Sequence, residues 1–182
     1  MSKEVTATKT MSSMGFRLMS LMFKLRDFFR PRLEILNEAE IKLGFSVLDF
    51  GCGPGGYIVP LAELVGPSGK IHALDINPLA VQEVDRIALR KNIRNLKTIQ
   101  SDCATKLPDS SVDVALLYDI CHHLTRPDDV LRDLHRVLKP GGLLSFSDHH
   151  MKGSDIVAGV TKTGLFALSK KGKNTFNFLR AG

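Results

Sequence analysis

The residues best suited to chemistry in this 182-residue chain lie in the segment VLDFGCGPGGY, Val47 to Tyr57. An apolar run that reads as a buried strand leads into glycines at 51, 53, 55 and 56 and then into an amphipathic stretch. Glycines in such a strand-to-helix turn allow positive φ and leave no Cβ between the backbone and a ligand at the helix N-terminus. Gly51, Gly53 and Gly56 also satisfy G-x-G-x-x-G, so glycine spacing alone leaves a dinucleotide as a candidate. Asp49, two residues before the first glycine, favours a cationic ligand, because an anion there gives nothing to a pyrophosphate. Asp75 ends the next apolar run and has the chemistry to accept both ribose hydroxyls of a nucleoside. A third acid, Asp102, follows the third run.

These acids need a scaffold that delivers them to one edge. Past Gly44, short apolar runs alternate with amphipathic stretches, the pattern of an α/β protein with a mainly parallel sheet. The spacing predicts strands over 47–50, 70–75, 96–100, 112–118 and 142–147. Helices are predicted over 56–65, 78–91, 127–137 and 154–163, and the link 101–111, with Pro108, leaves its helix short or missing. The tail predicts a hairpin, with strands over 165–168 and 175–179 around the turn-forming 170–174. Before Gly44, apolar residues Met14, Leu18, Leu21, Met22, Leu25, Phe28 and Phe29 share one side of a helical wheel, and Pro31 opens a second helix to Leu43. The expected organisation is a helical cap over 1–44, closing the mouth of a ligand site, and a ligand-binding domain over 45–182.

The segment around Asp49, Gly51, Gly53 and Gly55 resembles motif I of the class I S-adenosylmethionine-dependent methyltransferases. That family has a doubly wound, Rossmann-like sheet of seven strands, mostly parallel with an antiparallel last strand. The resemblance extends over about residues 45 to 180, through DVALLYDICHHL and LHRVLKPGGLLSFSD, the latter typical of quinone-biosynthesis C-methyltransferases and other small-molecule enzymes. It implies S-adenosyl-L-methionine as cofactor, with Asp49 holding its amino-acid end and Gly51, Cys52, Gly53, Gly55 and Tyr57 forming the loop beside it. It further implies that Asp75 takes the ribose, that Ile76 packs on the adenine, and that Asp102 and the Cys103 amide meet the adenine edge. Asp119 would face the methionine end or the acceptor. The implied activity is methyl transfer to a small, apolar or aromatic acceptor. The alternatives are a nicotinamide-dependent oxidoreductase, disfavoured by Asp49 and the hairpin, and a cofactor-binding subunit without turnover.

Methyl transfer from a sulfonium is an in-line displacement that asks mainly for alignment and exclusion of water. An acceptor that must lose a proton also needs a base. His122 and His123 follow the fourth strand, and His149 and His150 the fifth, at carboxyl ends where open α/β sheets bind ligands. His122, His149 and His150 are the candidate bases; His123 reads as structural, hydrogen-bonded under the following helix. Asp119, Asp148 and His149 also fall where the catechol O-methyltransferase group holds magnesium. That group has an amide at the position of His149, and the expectation here is no metal.

Composition narrows the remaining classes. Apolar residues make up 43% and charged residues 24%, which excludes intrinsic disorder. The net charge of +6 divides into +3 over 1–46, −2 over 47–150 and +5 over 151–182, so the segment holding the acids is mildly acidic and a nucleic-acid partner is not expected. Neither the Asn/Asp-Pro-Pro-aromatic pattern of amino-methylating nucleic-acid enzymes nor a Pro-Cys nucleophile occurs. Three scattered cysteines, Cys52, Cys103 and Cys121, form no disulfide framework or CxxC motif and point to the cytoplasm. The segment 14–29 is too short and charged to span a bilayer, although a basic amphipathic helix suits contact with a membrane surface.

Overall fold

A computed structural model describes residues 32–182. The amphipathic segment 14–29, and with it most of the expected cap, lies outside the described residues. The chain runs α1 (Arg32–Glu38), β1 (Ser46–Phe50), α2 (Ile58–Val65), β2 (Lys70–Asp75), α3 (Pro78–Lys91), β3 (Leu96–Gln100) and β4 (Val112–Tyr118). A single 3-10 turn (Cys121–His123) then leads to α4 (Pro127–Val137), β5 (Leu138–Ser147), α5 (Gly153–Thr161), β6 (Phe166–Lys171) and β7 (Phe176–Arg180). The strands form one seven-stranded sheet in the order β3-β2-β1-β4-β5-β7-β6. β1 to β5 pair in parallel, and β7 runs antiparallel to both β5 and β6. The expected doubly wound sheet with its reversed last strand is therefore present.

Local chemistry explains where the helices start and stop. The Asn77 side chain caps α3 by accepting from the Leu79 N–H at 2.9 Å, Pro78 occupies the first turn, and Asn92 closes the helix in a left-handed conformation. In α4, Pro127 and two aspartates open the helix and His135 and Arg136 close it, each sign of charge matching the helix dipole. Every residue of β1 is buried, as expected of a central strand in a parallel sheet.

Helices cover both faces. Leu36 of α1 and Ala39 just after it pack with Ile58, Leu61 and Val65 of α2 and Val84 of α3 on one side. On the other, Val130, Leu131, Leu134 and Val137 of α4 and Ile156 and Val160 of α5 meet Leu48, Leu117, Leu144, Phe146 and Phe178. The strand order reverses between β1 and β4, which opens a crevice at their carboxyl ends.

Several boundaries differ from the sequence expectation: β6 runs on to Lys171, past the expected end at 168, and α5 ends at Thr161 short of 163. α1 stops at Glu38 and does not reach Leu43, because Glu40 takes a left-handed φ of 54° and redirects the chain toward β1. α2 begins at Ile58, since residues 51–56 are spent on the turn. β5 begins at Leu138 and carries the Lys-Pro-Gly-Gly segment within it: Leu138 pairs with Val112, and the register shifts before Leu143 meets Val114. The link 101–111 holds no helix.

The reversed strand is anchored by one ring. Phe178 is fully buried and sits opposite Leu144 of β5 and Leu168 of β6. Phe178→Ala is expected to cost about 3–5 kcal/mol by leaving a cavity at this seam, read as a lowered midpoint in chemical denaturation with an unchanged slope.

Candidate active site

The loop after β1 is clasped to β2 before any ligand arrives. The N–H groups of Gly51 and Cys52 both donate to the Leu74 carbonyl, at 2.8 and 2.9 Å. Gly53 follows at φ 51°, and a Cβ built there would meet nothing within 4 Å, so this glycine faces open space. Gly55, at φ 80°, lies so close to α3 that a Cβ would collide with the side chains of Val84 and Ile87. The first glycine opens the loop to a ligand and the second lets the loop lie down on its neighbour helix.

Two carboxylates lie at the strand ends next to this loop. Asp75, at the end of β2, accepts from the Gly53 N–H through Oδ2 and from the Asn77 N–H through Oδ1, each at 2.8 Å. Burial raises its pKa against those backbone donors. Asp49 is 2% exposed, and its Oδ2 is buried with no hydrogen-bond partner. Burial pushes its pKa from 3.8 up to about 7, opposed by the positive charge of Arg32 and helped by Asp75.

Sequence reasoning missed Arg32. Its guanidinium lies 4.5 Å above the Tyr57 ring and so close to Gly56 that a Cβ there would overlap it. Tyr57 in turn meets Tyr118 edge-on at 5.4 Å, and the Tyr118 hydroxyl is hydrogen-bonded to Ser145 Oγ at 2.8 Å. No pattern in the sequence ties a residue following Pro31 to the glycine loop; only the fold of α1 brings it there.

A cleft opens at the switch point, walled by Gly51, Asp75 and Ile76 on one side, Ser101 and Asp102 on a second, and Ile120, His123, Leu124 and Thr125 on a third. It brings together Gly51, Asp75, Ile76 and Asp102 of the expected cofactor residues. Cys52 is buried in the core and shapes the loop from behind. Asp102 Oδ1 accepts from the Cys103 N–H at 2.9 Å, and Arg126 donates to the Cys103 sulfur at 3.2 Å. Asp49, Gly53, Gly55, Tyr57, Cys103 and Asp119, also expected at the cofactor, are not part of the cleft wall.

Beside the cleft, the four histidines form one row of rings. The centroid of His123 lies 4.0 Å from His122, His122 4.3 Å from His150, and His150 3.9 Å from His149. Two carboxylates hold the row. Asp148, its side chain fully buried, contacts His122 Nδ1 at 2.8 Å and accepts from the His122 and His150 N–H groups. Burial raises the Asp148 pKa, but these donors outweigh it and hold the carboxyl below its usual value. Asp119, at a left-handed φ of 52°, contacts His149 Nδ1 at 2.7 Å and accepts from its N–H. A carboxylate that accepts a hydrogen bond from Nδ1–H keeps the proton of a neutral ring on Nδ1 and leaves Nε2 as the acceptor. Asp119 is thus engaged with His149. The structural expectation for His123 is corrected too: His123 is exposed on the cleft wall, and the carboxylate-bonded position belongs to His122. Among the described residues no three carboxylate, imidazole or thiol groups are arranged to hold a metal ion.

The fold is that of a Rossmann-like α/β domain, with a cleft at the carboxyl ends of its strands. The family profile described as "Methyltransferase domain" matches residues 41–177, and the chain belongs to this family. It is 27% identical over 126 residues to the demethylmenaquinone methyltransferase of Geobacillus stearothermophilus, covering 69% of this chain and 54% of that one. A ubiquinone/menaquinone biosynthesis C-methyltransferase of Ectopseudomonas mendocina is 33% identical over 130 residues, covering 70% and 50%. The chain thus spans about half the length of these curated relatives. The crystal structure of a SAM-dependent methyltransferase from Aquifex aeolicus superposes with a TM-score of 0.71 at 25% identity, covering 81% of this chain and 87% of that one.

The buried carboxyl gives a direct test. Asp49 is neutral in folded and unfolded chains below its unfolded value near 3.8, and ionised in both above about 7, so its burial costs stability as pH rises between those limits. Asp49→Asn, which cannot ionise, is expected to melt higher than the native chain at pH 8 and to lose that advantage by pH 4, as measured by parallel thermal melts.

Proposed function

We propose that this chain binds S-adenosylmethionine and transfers its methyl group to a small apolar or aromatic acceptor of the hydroquinone type. The observation that carries the reading is the buried, unpartnered Oδ2 of Asp49, two residues before the glycine loop. A buried carboxylate oxygen without a donor suits an ammonium or sulfonium ligand and disfavours a pyrophosphate, which sets a nicotinamide cofactor aside. The relatives methylate quinone precursors by name, and this supports the acceptor class.

The residues divide the work as follows. Asp49 receives the ammonium of the amino-acid end, and Arg32 meets its carboxylate. Asp75, already aimed by the Gly53 and Asn77 N–H groups, keeps lone pairs for the ribose hydroxyls. Ile76 packs on the adenine and Asp102 accepts from its amino group. The cofactor supplies an activated methyl group; the chain supplies alignment and a place for the acceptor's proton. That place is Nε2 of His122 or His149, each oriented by a carboxylate at Nδ1, with His150 between the two rings. Asp119 and Asp148 are positioning residues for these bases. The basic, amphipathic pattern of the sequence over 14–29 supports contact with a membrane surface from which an apolar acceptor is drawn. The described residues contain no helix long and apolar enough to cross a membrane. Free cysteines support a cytoplasmic setting.

Two measurements test the assignment. Asp75→Ala removes a charged acceptor from two hydroxyls and is expected to weaken S-adenosylhomocysteine binding by about 2–4 kcal/mol in calorimetry; unchanged affinity in a folded variant would reject the ribose role. With 1,4-naphthohydroquinone as acceptor, His122→Ala or His149→Ala is expected to lower turnover about 10²- to 10⁴-fold while cofactor affinity holds. Full turnover in both variants would leave alignment as the whole mechanism.

A further inference from the structure

Far from the cleft in sequence, Glu38 makes a set of contacts that a surface carboxylate has no need of. Its two oxygens accept from the Asn174 N–H at 3.0 Å, Asn174 Nδ2 at 2.8 Å, and the Thr175 N–H and Oγ1, both at 2.9 Å. Its backbone carbonyl accepts from Asn177 Nδ2 at 2.5 Å. The hairpin turn is shaped around it: a Cβ on Gly172 would overlap the Glu38 carboxylate. Thr175 and Asn177 are each 1% exposed, so these donors are already out of water and depend on Glu38 for partners. Burial raises the pKa of Glu38, and the four donors together bring it below its usual value.

The other end of the same helix carries Arg32 over Tyr57 and against Gly56, and its charge is felt at Asp49. α1 is only seven residues long and is too short to hold its own position by helix propensity. Its C-terminal end is tied to the β6–β7 turn by charge-assisted hydrogen bonds, and its N-terminal end lies on the glycine loop. We infer that Glu38 is a positioning residue for the cofactor site: by bonding α1 to the hairpin turn it holds the Arg32 guanidinium where the carboxylate of the cofactor's amino-acid end must bind. The inference rests on the cofactor reading above and goes beyond it, because it makes the C-terminal hairpin part of the binding apparatus for one end of the ligand only.

The experiment uses two ligands on the full chain. S-adenosylhomocysteine carries the amino-acid end, and adenosine shares only the part held by Asp75, Ile76 and Asp102. Glu38→Gln, which puts an amide donor against the hairpin's own donors, is expected to lower S-adenosylhomocysteine affinity about tenfold while adenosine affinity stays within about twofold. Thr175→Val, a near-isosteric loss of one donor, moves affinity in the same direction by a smaller factor and serves if Glu38→Gln does not fold. In an Arg32→Met background the Glu38 effect is expected to disappear, since its route to the ligand is gone. Equal losses for both ligands, no loss for either, or a Glu38 effect undiminished without Arg32 would each overturn the inference. Failure of the native chain to bind S-adenosylhomocysteine would instead reject the cofactor reading itself.

Discussion

Putting the Asp49 carboxylate near the end of β1, just ahead of the glycine loop and out of reach of water, is the constraint around which the site is arranged. A charge in such a place is stable only when something positive comes near it. In the free chain the Arg32 guanidinium partly answers that need, and the carboxyl still holds its proton up to about pH 7. The neighbouring Asp75 worsens the electrostatics of Asp49 but has backbone donors of its own. The two acids therefore sit a strand apart in different states of satisfaction, one already bonded and one waiting.

The remaining architecture serves this placement. The parallel pairing of β1 with β2 and β4 sets Asp49 beside Ala73 and Leu116, inside the sheet rather than on its rim. Glycine at 55 lets the loop settle on α3, and the strand reversal next to β4 leaves the crevice that the ligand enters. On the far wall, Asp119 takes a left-handed conformation that few side chains tolerate, with its N–H bonded to the Ser147 carbonyl at 2.7 Å. That conformation leaves its carboxylate in contact with His149 Nδ1 at 2.7 Å.

The histidine row and the Glu38 clasp show two ways of extending a site beyond its first contacts. In the row, buried Asp148 orders both the His122 ring and the turn that carries His149 and His150, so one carboxylate sets the geometry of two strand ends. In the clasp, residues near the start and end of the chain meet across 136 positions of sequence. Both work through groups that would be costly to bury alone and become inexpensive once their donors converge.

Much of the scaffold is legible in the sequence because its signals are local. Strands 70–75, 96–100 and 112–118 are read from apolar runs, and helices 78–91 and 127–137 from Asn77-Pro78, Pro127 and their charged turns, with the bounds observed. The glycine spacing and the acids at 49, 75 and 102 are likewise visible, since a tight turn and a strand end have residue requirements of their own. Where local signals conflict with distant pairing, the pairing prevails: Lys-Pro-Gly-Gly reads as a turn, yet Leu138 enters the sheet because Val112 is there to bond it. Which histidine is bonded to a carboxylate, that His123 faces the cleft, that Arg32 covers the loop and that Glu38 holds the hairpin depend on side chains meeting across the fold. Sequence determined the elements and the chemical types available at their ends. Tertiary structure alone decided which of those groups are buried, which are paired and which remain open to a ligand, because desolvation and hydrogen bonding are properties of the assembled neighbourhood and not of the residue.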